Sequence, residues 1–268
     1  EPAMDSEPGD ADGAPHLTDR ARLLLRLTPL PAVPLGVALF FLEAPLADVF
    51  LLPLVLTVLP VLAVVQALAL RGVRIRKLPA YASSALSILL LAVLCIAAGA
   101  WGRGWDAVGL VGMAWGPLAG WTLLLTMAGL AILLAFRLVA GLLGMAEHPF
   151  LRQLLPRTPG EKVAFAGVSL SAGVGEEVVF RGYAIGALAP FLGLGGAVAL
   201  STASFGVVHA YQGVLGFVRT AVLGGMLAWG YLAAGSLVPA MAAHTLLDLL
   251  AGIVLAEHLM VPEPTSRV

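Results

Sequence analysis

The 268-residue chain is 60% apolar and only 12% charged, where an average soluble domain carries roughly 25% charged residues. Fifteen basic against sixteen acidic side chains leave a net charge of −1, so there is no basic field and no nucleic-acid partner is expected. The single cysteine, Cys95, lies inside an apolar run and excludes an internal disulfide or a cysteine-built zinc site.

Residues 1–26 read as a disordered acidic tail followed by a basic cytoplasmic flank. The stretch 1–19 is rich in acids, Pro and Gly and too poor in large apolar side chains to order itself. A positive n-region and an apolar core are both missing from its start, so no secretory signal is read there. From residue 27 onward, apolar runs close to the roughly 20 residues that cross a bilayer alternate with short polar breaks. Eight spans are predicted, near 27–42, 50–70, 81–100, 117–137, 163–189, 192–209, 214–234 and 237–258. The expected fold class is all-α: a polytopic transmembrane helical bundle of about eight spans, with a catalytic cavity among the last four. Residues 27–137 form the N-terminal transmembrane helices, 138–161 a cytoplasmic interfacial segment, 162–260 the helices that carry the polar motifs, and 261–268 a C-terminal tail.

Lys and Arg in short loops set the orientation. Arg20, Arg22 and Arg26 precede the first span; Arg71, Arg74, Arg76 and Lys77 follow the second; Arg137, Arg152, Arg157 and Lys162 flank the loop between the fourth and fifth; Arg267 lies in the tail. Eight spans with both termini cytoplasmic put all of these inside and leave Arg103 outside. Thirteen Arg against two Lys, with abundant Ala, Gly, Leu and Val, suggest a GC-rich bacterial genome and hence an inner or plasma membrane.

An ionised side chain at the centre of a span costs about 2.5–3.5 kcal/mol on insertion scales. The first four spans carry almost none at depth, but the last four do. The fifth holds Glu176, Glu177 and Arg181 in an EExxxR run followed by Tyr183; the sixth ends FxxxH, Phe205 to His209; the eighth holds HxxxD, His244 to Asp248. Glu177 and Arg181 share a helical face as an ion pair, and Glu176, turned about 100° away, is left to face a cavity. His244 and Asp248 share a face, so the carboxylate either fixes the imidazole tautomer or joins it at a common ligand. Phe205 walls the pocket beside His209. A carboxylate and two imidazoles in lipid suit peptide hydrolysis, with Glu176 as the base that activates water. His209 and His244 either polarise the carbonyl or, with Glu176 and Asp248, hold a divalent metal such as zinc.

The three motifs, in this order on separate spans, resemble the CPBP intramembrane proteases, the Abi-like relatives of the CAAX prenyl endopeptidases. The resemblance covers roughly 160–250. It implies that Glu176, His209, His244 and Asp248 carry catalysis while Glu177 and Arg181 support them, with Tyr183 and Phe205 alongside. It implies a hydrolase acting on a membrane-anchored or lipidated polypeptide, in the bilayer, by Glu-activated and optionally metal-assisted water attack. Asp248 stands where many members have Asn. Two other readings use the same residues: a non-catalytic scaffold or regulator, and a proton-coupled transporter. Ser169, Ser171, Ser201 and Ser204 invite a serine-protease reading, but no GxSG stands here, and serines in spans usually bond backbone. Oligomeric state is left open. Straight spans put Glu176 and His209 at different depths, so residues 163–174 are expected to form a separate interfacial or broken segment.

Overall fold

A computed structural model describes residues 19–69 and 73–259 of the chain. The expected tail at 1–18 and the C-terminal segment 261–268 lie outside the described residues, as do Arg71 and Arg267. The order is α1 (Asp19–Leu27), α2 (Pro29–Phe41), α3 (Leu46–Pro53), a π-helical turn Leu54–Val58, α4 (Leu59–Ala69) and α5 (Lys77–Arg103). A 3-10 turn Trp105–Val108 leads to α6 (Trp115–Leu142), α7 (Pro149–Leu154) and α8 (Pro159–Glu176), which runs without a break into a π-helix, Glu177–Ile185. Then come α9 (Gly186–Val208), a 3-10 turn Ala210–Gln212, α10 (Gly213–Ala234), α11 (Val238–Leu249), a π turn Leu250–Val254 and α12 (Ala256–Leu259).

No β-strand occurs among the described residues, and six helical stretches are long and apolar enough to cross a membrane, with Val238–Val254 a shorter apolar helix. One of the six, Pro159–Val208, contains a backbone break at Gly193, whose φ of 67° is a conformation only glycine takes readily. Divided there, the stretch supplies two segments. The protein is an all-α polytopic membrane bundle. Its outer surface is what lipid requires: Phe41 is 78% exposed and Trp101 96%.

Local chemistry sets the boundaries that matter for the interior. Thr158 and Glu161 form a reciprocal capping box with Pro159 at the first helical turn, which starts α8 sharply. Gly235, left-handed, closes α10. The main core packs Leu52 and Val55, Cys95, Val178 to Phe180, Ile185, Phe205, Leu237 and Met241 into one apolar cluster. The π geometry frees carbonyls that neighbouring hydroxyls take up: Ser201 donates to Phe180 O (2.5 Å) and Ser204 to Val55 O (3.0 Å). An inserted side chain of this kind accounts for local disruption of the helical ladder. Both serines, with Ser171 donating to Gly167 O, are backbone ties.

The structure corrects the expected break at 163–174, which instead belong to an unbroken α8. The depth conflict is resolved elsewhere. Past Gly193 the chain turns back along its own preceding helix, bringing Phe205 against Phe180 (ring centroids 5.1 Å). Glu176 and His209 lie at nearly equal sequence distances on either side of Gly193, so the returning limb ends beside Glu176 while α8 continues past it.

Close approach of α8 to α11 completes the arrangement. A Cβ on Gly173 would overlap Thr245 Oγ1 and crowd the Thr245 backbone N and Met241 O. Gly173→Leu is therefore expected to push α11 outward and lower stability by about 1–3 kcal/mol. Thermal unfolding in detergent, with Gly167→Leu as an uncrowded control, checks this; equal unfolding temperatures for the two variants would contradict it.

Candidate active site

Glu176 ends α8 and Glu177 opens the π-helix. Glu177 and Arg181 are 0% and 1% exposed and pair directly, Arg181 Nη1 donating to Glu177 Oε1 at 2.9 Å. The guanidinium also lies 4.1 Å from the centroid of the Phe205 ring, a cation–π contact. Phe205 in turn stands 4.7 Å from the His209 ring and 6.3 Å from the His244 ring, so one aromatic side chain touches both the ion pair and the imidazoles.

The hydrogen bonds place a proton on Nδ1 of each imidazole. His209 Nδ1 lies 2.9 Å from Phe205 O, and a carbonyl can only accept, so Nδ1 carries the proton and Nε2 a lone pair. His244 Nδ1 lies 2.8 Å from Glu177 Oε1 and donates to it, and the ring stands among three carboxylates, those of Glu176, Glu177 and Asp248. Both Nε2 atoms lie 3.9 Å from Glu176 Oε2, and His244 Nε2 is also 3.9 Å from Asp248 Oδ1. These separations are too long for hydrogen bonds and suit groups that share one water.

The structure thus brings Glu176, His209, His244 and Asp248 together around a cavity of about 650 Å³, with Phe205 on its wall. Glu177 and Arg181 sit behind them. Tyr183 is elsewhere: its hydroxyl donates to Asp48 Oδ1 at 2.6 Å, a buried bond that ties the π-helix to α3. Two expectations therefore change. The acid at His244 Nδ1 is Glu177, from another helix, and of the two roles expected for Asp248 only the one at a common ligand fits its place on the Nε2 side. The N-terminal spans are also not free of buried charge, since Asp48 is 1% exposed. Its position just before the second apolar run disguised it as a loop acid.

Tyr211, Gln212 and Arg219, which follow His209 closely in the chain, line the same cavity. Arg219 Nη1 bonds Glu147 Oε1 at 2.6 Å, and Tyr211 stacks edge-on against Phe150 of α7. The signal that could have singled them out is the polar pair directly after His209, inside a cavity-bearing turn rather than at a membrane surface.

Among the described residues no trio of His, Cys, Asp and Glu is close enough, as placed, to hold a metal ion. In chemical kind the residues do fit one: two imidazole Nε2 atoms converge on a carboxylate, and each ring has its other nitrogen fixed by an acceptor, as ligating histidines do.

Residues 158–250, about a third of the chain, match the family described as Type II CAAX prenyl endopeptidase Rce1-like. The match is to the CPBP/CAAX protease family. All three motifs fall inside the matched segment, which spans the whole path from the α8 capping box to the end of α11. Neither a curated protein nor a solved structure matches the chain.

Proposed function

We propose that the protein is an intramembrane endopeptidase that hydrolyses a peptide bond of a membrane-anchored or lipidated polypeptide. The observation that carries this reading is the convergence of the His209 and His244 Nε2 atoms on Glu176 Oε2, which makes no hydrogen bond of its own, at the wall of a protein-lined cavity. A water there can give its two protons to the Glu176 carboxylate and to His209 Nε2, so its oxygen becomes electron-rich toward a carbonyl carbon. Glu176 takes one proton as the oxygen bonds to that carbon, then passes it to the amine nitrogen as the C–N bond breaks. His209 and His244 hold the water, and Glu177 and the Phe205 carbonyl keep their rings from turning. Were a divalent metal such as zinc bound, Glu176, His209, His244 and Asp248 would hold it, and it would supply Lewis-acid activation of water.

The family's name supports a substrate with a lipid-modified C-terminal tail, the loop charges support cytoplasmic termini, and the composition supports a bacterial inner or plasma membrane. The test uses purified protein in liposomes and an internally quenched peptide carrying a farnesylated cysteine three residues from its C-terminus. Cleavage by the wild-type chain is expected, with roughly 10²-fold or greater loss in His209→Ala and in His244→Ala. Cleavage that survives in both variants would refute the reading. Failure of the wild type to cut, with intact binding of the peptide, would favour a scaffold. Addition of phenanthroline, followed by zinc, separates metal-dependent from metal-free turnover.

A further inference from the structure

Ser171, Ser201 and Ser204 each donate to a backbone carbonyl, as serines in spans usually do. Ser169 does not. It is 1% exposed, and its hydroxyl makes no hydrogen bond with any described residue. Leaving a buried hydroxyl without a partner is costly, and this one lines the cavity that holds Glu176. We propose that Ser169 binds the backbone of the polypeptide substrate, hydrogen-bonding an amide group about three residues from the scissile bond. The inference rests on the endopeptidase reading above.

Helix geometry sets that register. The residues of α8 that line the cavity are Phe165, Val168, Ser169, Ala172 and Glu176, whose spacing puts them on one face. Only Ser169 and Glu176 are polar there. From one to the other the helix rises about 10.5 Å and turns about 20° short of two full circles, so both side chains leave it in nearly the same direction. An extended chain advances about 3.3 Å per residue. A substrate that has its scissile bond at Glu176 and runs along α8 therefore brings its third residue level with Ser169. Extended backbone satisfies none of its own amides, so away from water each one needs a partner from the wall.

The neighbouring helix supports the same path. α5 runs parallel to α8: Lys77 pairs with Glu161 at 3.0 Å, the Tyr81 and Phe165 rings lie 5.6 Å apart, and a Cβ on Gly175 would overlap Ile88. Ser84 and Ser87 lie between Tyr81 and Ile88, so they stand beside the stretch of α8 that holds Ser169. Both are exposed and both line the cavity. Hydrocarbon offers a hydroxyl no partner, whereas a peptide backbone offers donors and acceptors.

The experiment compares wild type and Ser169→Ala on the farnesylated quenched peptide and on a series in which single backbone amides on either side of the scissile bond are replaced by esters. On the all-amide peptide, Ser169→Ala is expected to lower kcat/KM about 3–10-fold, the size of one neutral hydrogen bond. Its unfolding temperature is expected to be unchanged or higher, because Ala removes a buried hydroxyl that has no partner in the protein. On the ester peptide that lacks the paired amide the two enzymes are expected to become equal, and the position of that ester, about three residues from the cut, tells which flank lies along α8. A loss of the same size on every peptide would make the hydroxyl's effect independent of substrate backbone and overturn the inference. Equal kcat/KM for both enzymes on every peptide overturns this inference alone. A wild type that cleaves none of them overturns the endopeptidase reading and this inference with it.

Discussion

Glu176→Gln is expected to abolish measurable turnover, with a loss of roughly 10²–10⁴-fold, while leaving thermal stability unchanged or raised. The amide keeps the shape of the side chain but cannot take a proton from water. Nothing in the fold depends on the charge: Glu176 Oε2 is buried, and it has no hydrogen-bond partner among the described residues. It stands near the Asp248 carboxylate across His244, so removing its charge also relieves a desolvated acid. A site kept for chemistry at a cost in stability gives this opposite pair of effects. Turnover and detergent unfolding temperature measured on one preparation decide it. A variant that unfolds at markedly lower temperature would show that Glu176 locks helices together instead.

Glu177→Ala has the reverse signature. Glu177 Oε1 accepts from Arg181 Nη1 and from His244 Nδ1 at once, and the side chain is fully buried. Its loss leaves Arg181 charged and uncompensated beside Phe205, which costs about 3–5 kcal/mol for a buried pair broken on one side. Activity falls with it, because His244 loses the acceptor that fixes its tautomer. The double variant Glu177→Leu with Arg181→Leu separates the two roles. Stability is expected to return, since replacing a buried pair with apolar side chains is often neutral or favourable. Activity is expected to stay lost. Recovery of both would mean that the His244 bond to Glu177 has no part in turnover.

The bundle was legible because lipid leaves the sequence little choice: every span must be a helix and nearly free of charge, so apolar runs and the residues that violate them stand out. The Glu177–Arg181 pair was legible for the same reason that any i, i+4 pair is, since both ends lie on one helix. What spacing along one helix cannot disclose is a partner on another. The bond from His244 to Glu177 crosses between α11 and the π-helix, and Tyr183 finds Asp48 far away in the chain. The π winding was hidden too, because it depends on Ser201 arriving from α9 to take the Phe180 carbonyl. The wrong expectation at 163–174 came from treating each apolar run as a full-length span. The limb after Gly193 is short, and that shortness carries the alignment.

The turn at Gly193 makes residue count a component of the chemistry. Each limb is a helical rod, so one residue inserted into either would slide its end by about 1.5 Å and rotate it by about 100°. The carboxyl and the imidazole would then miss each other even with every side chain retained. Insertions and deletions between Glu176 and His209 would have to come in compensating pairs about the glycine to keep the two groups together.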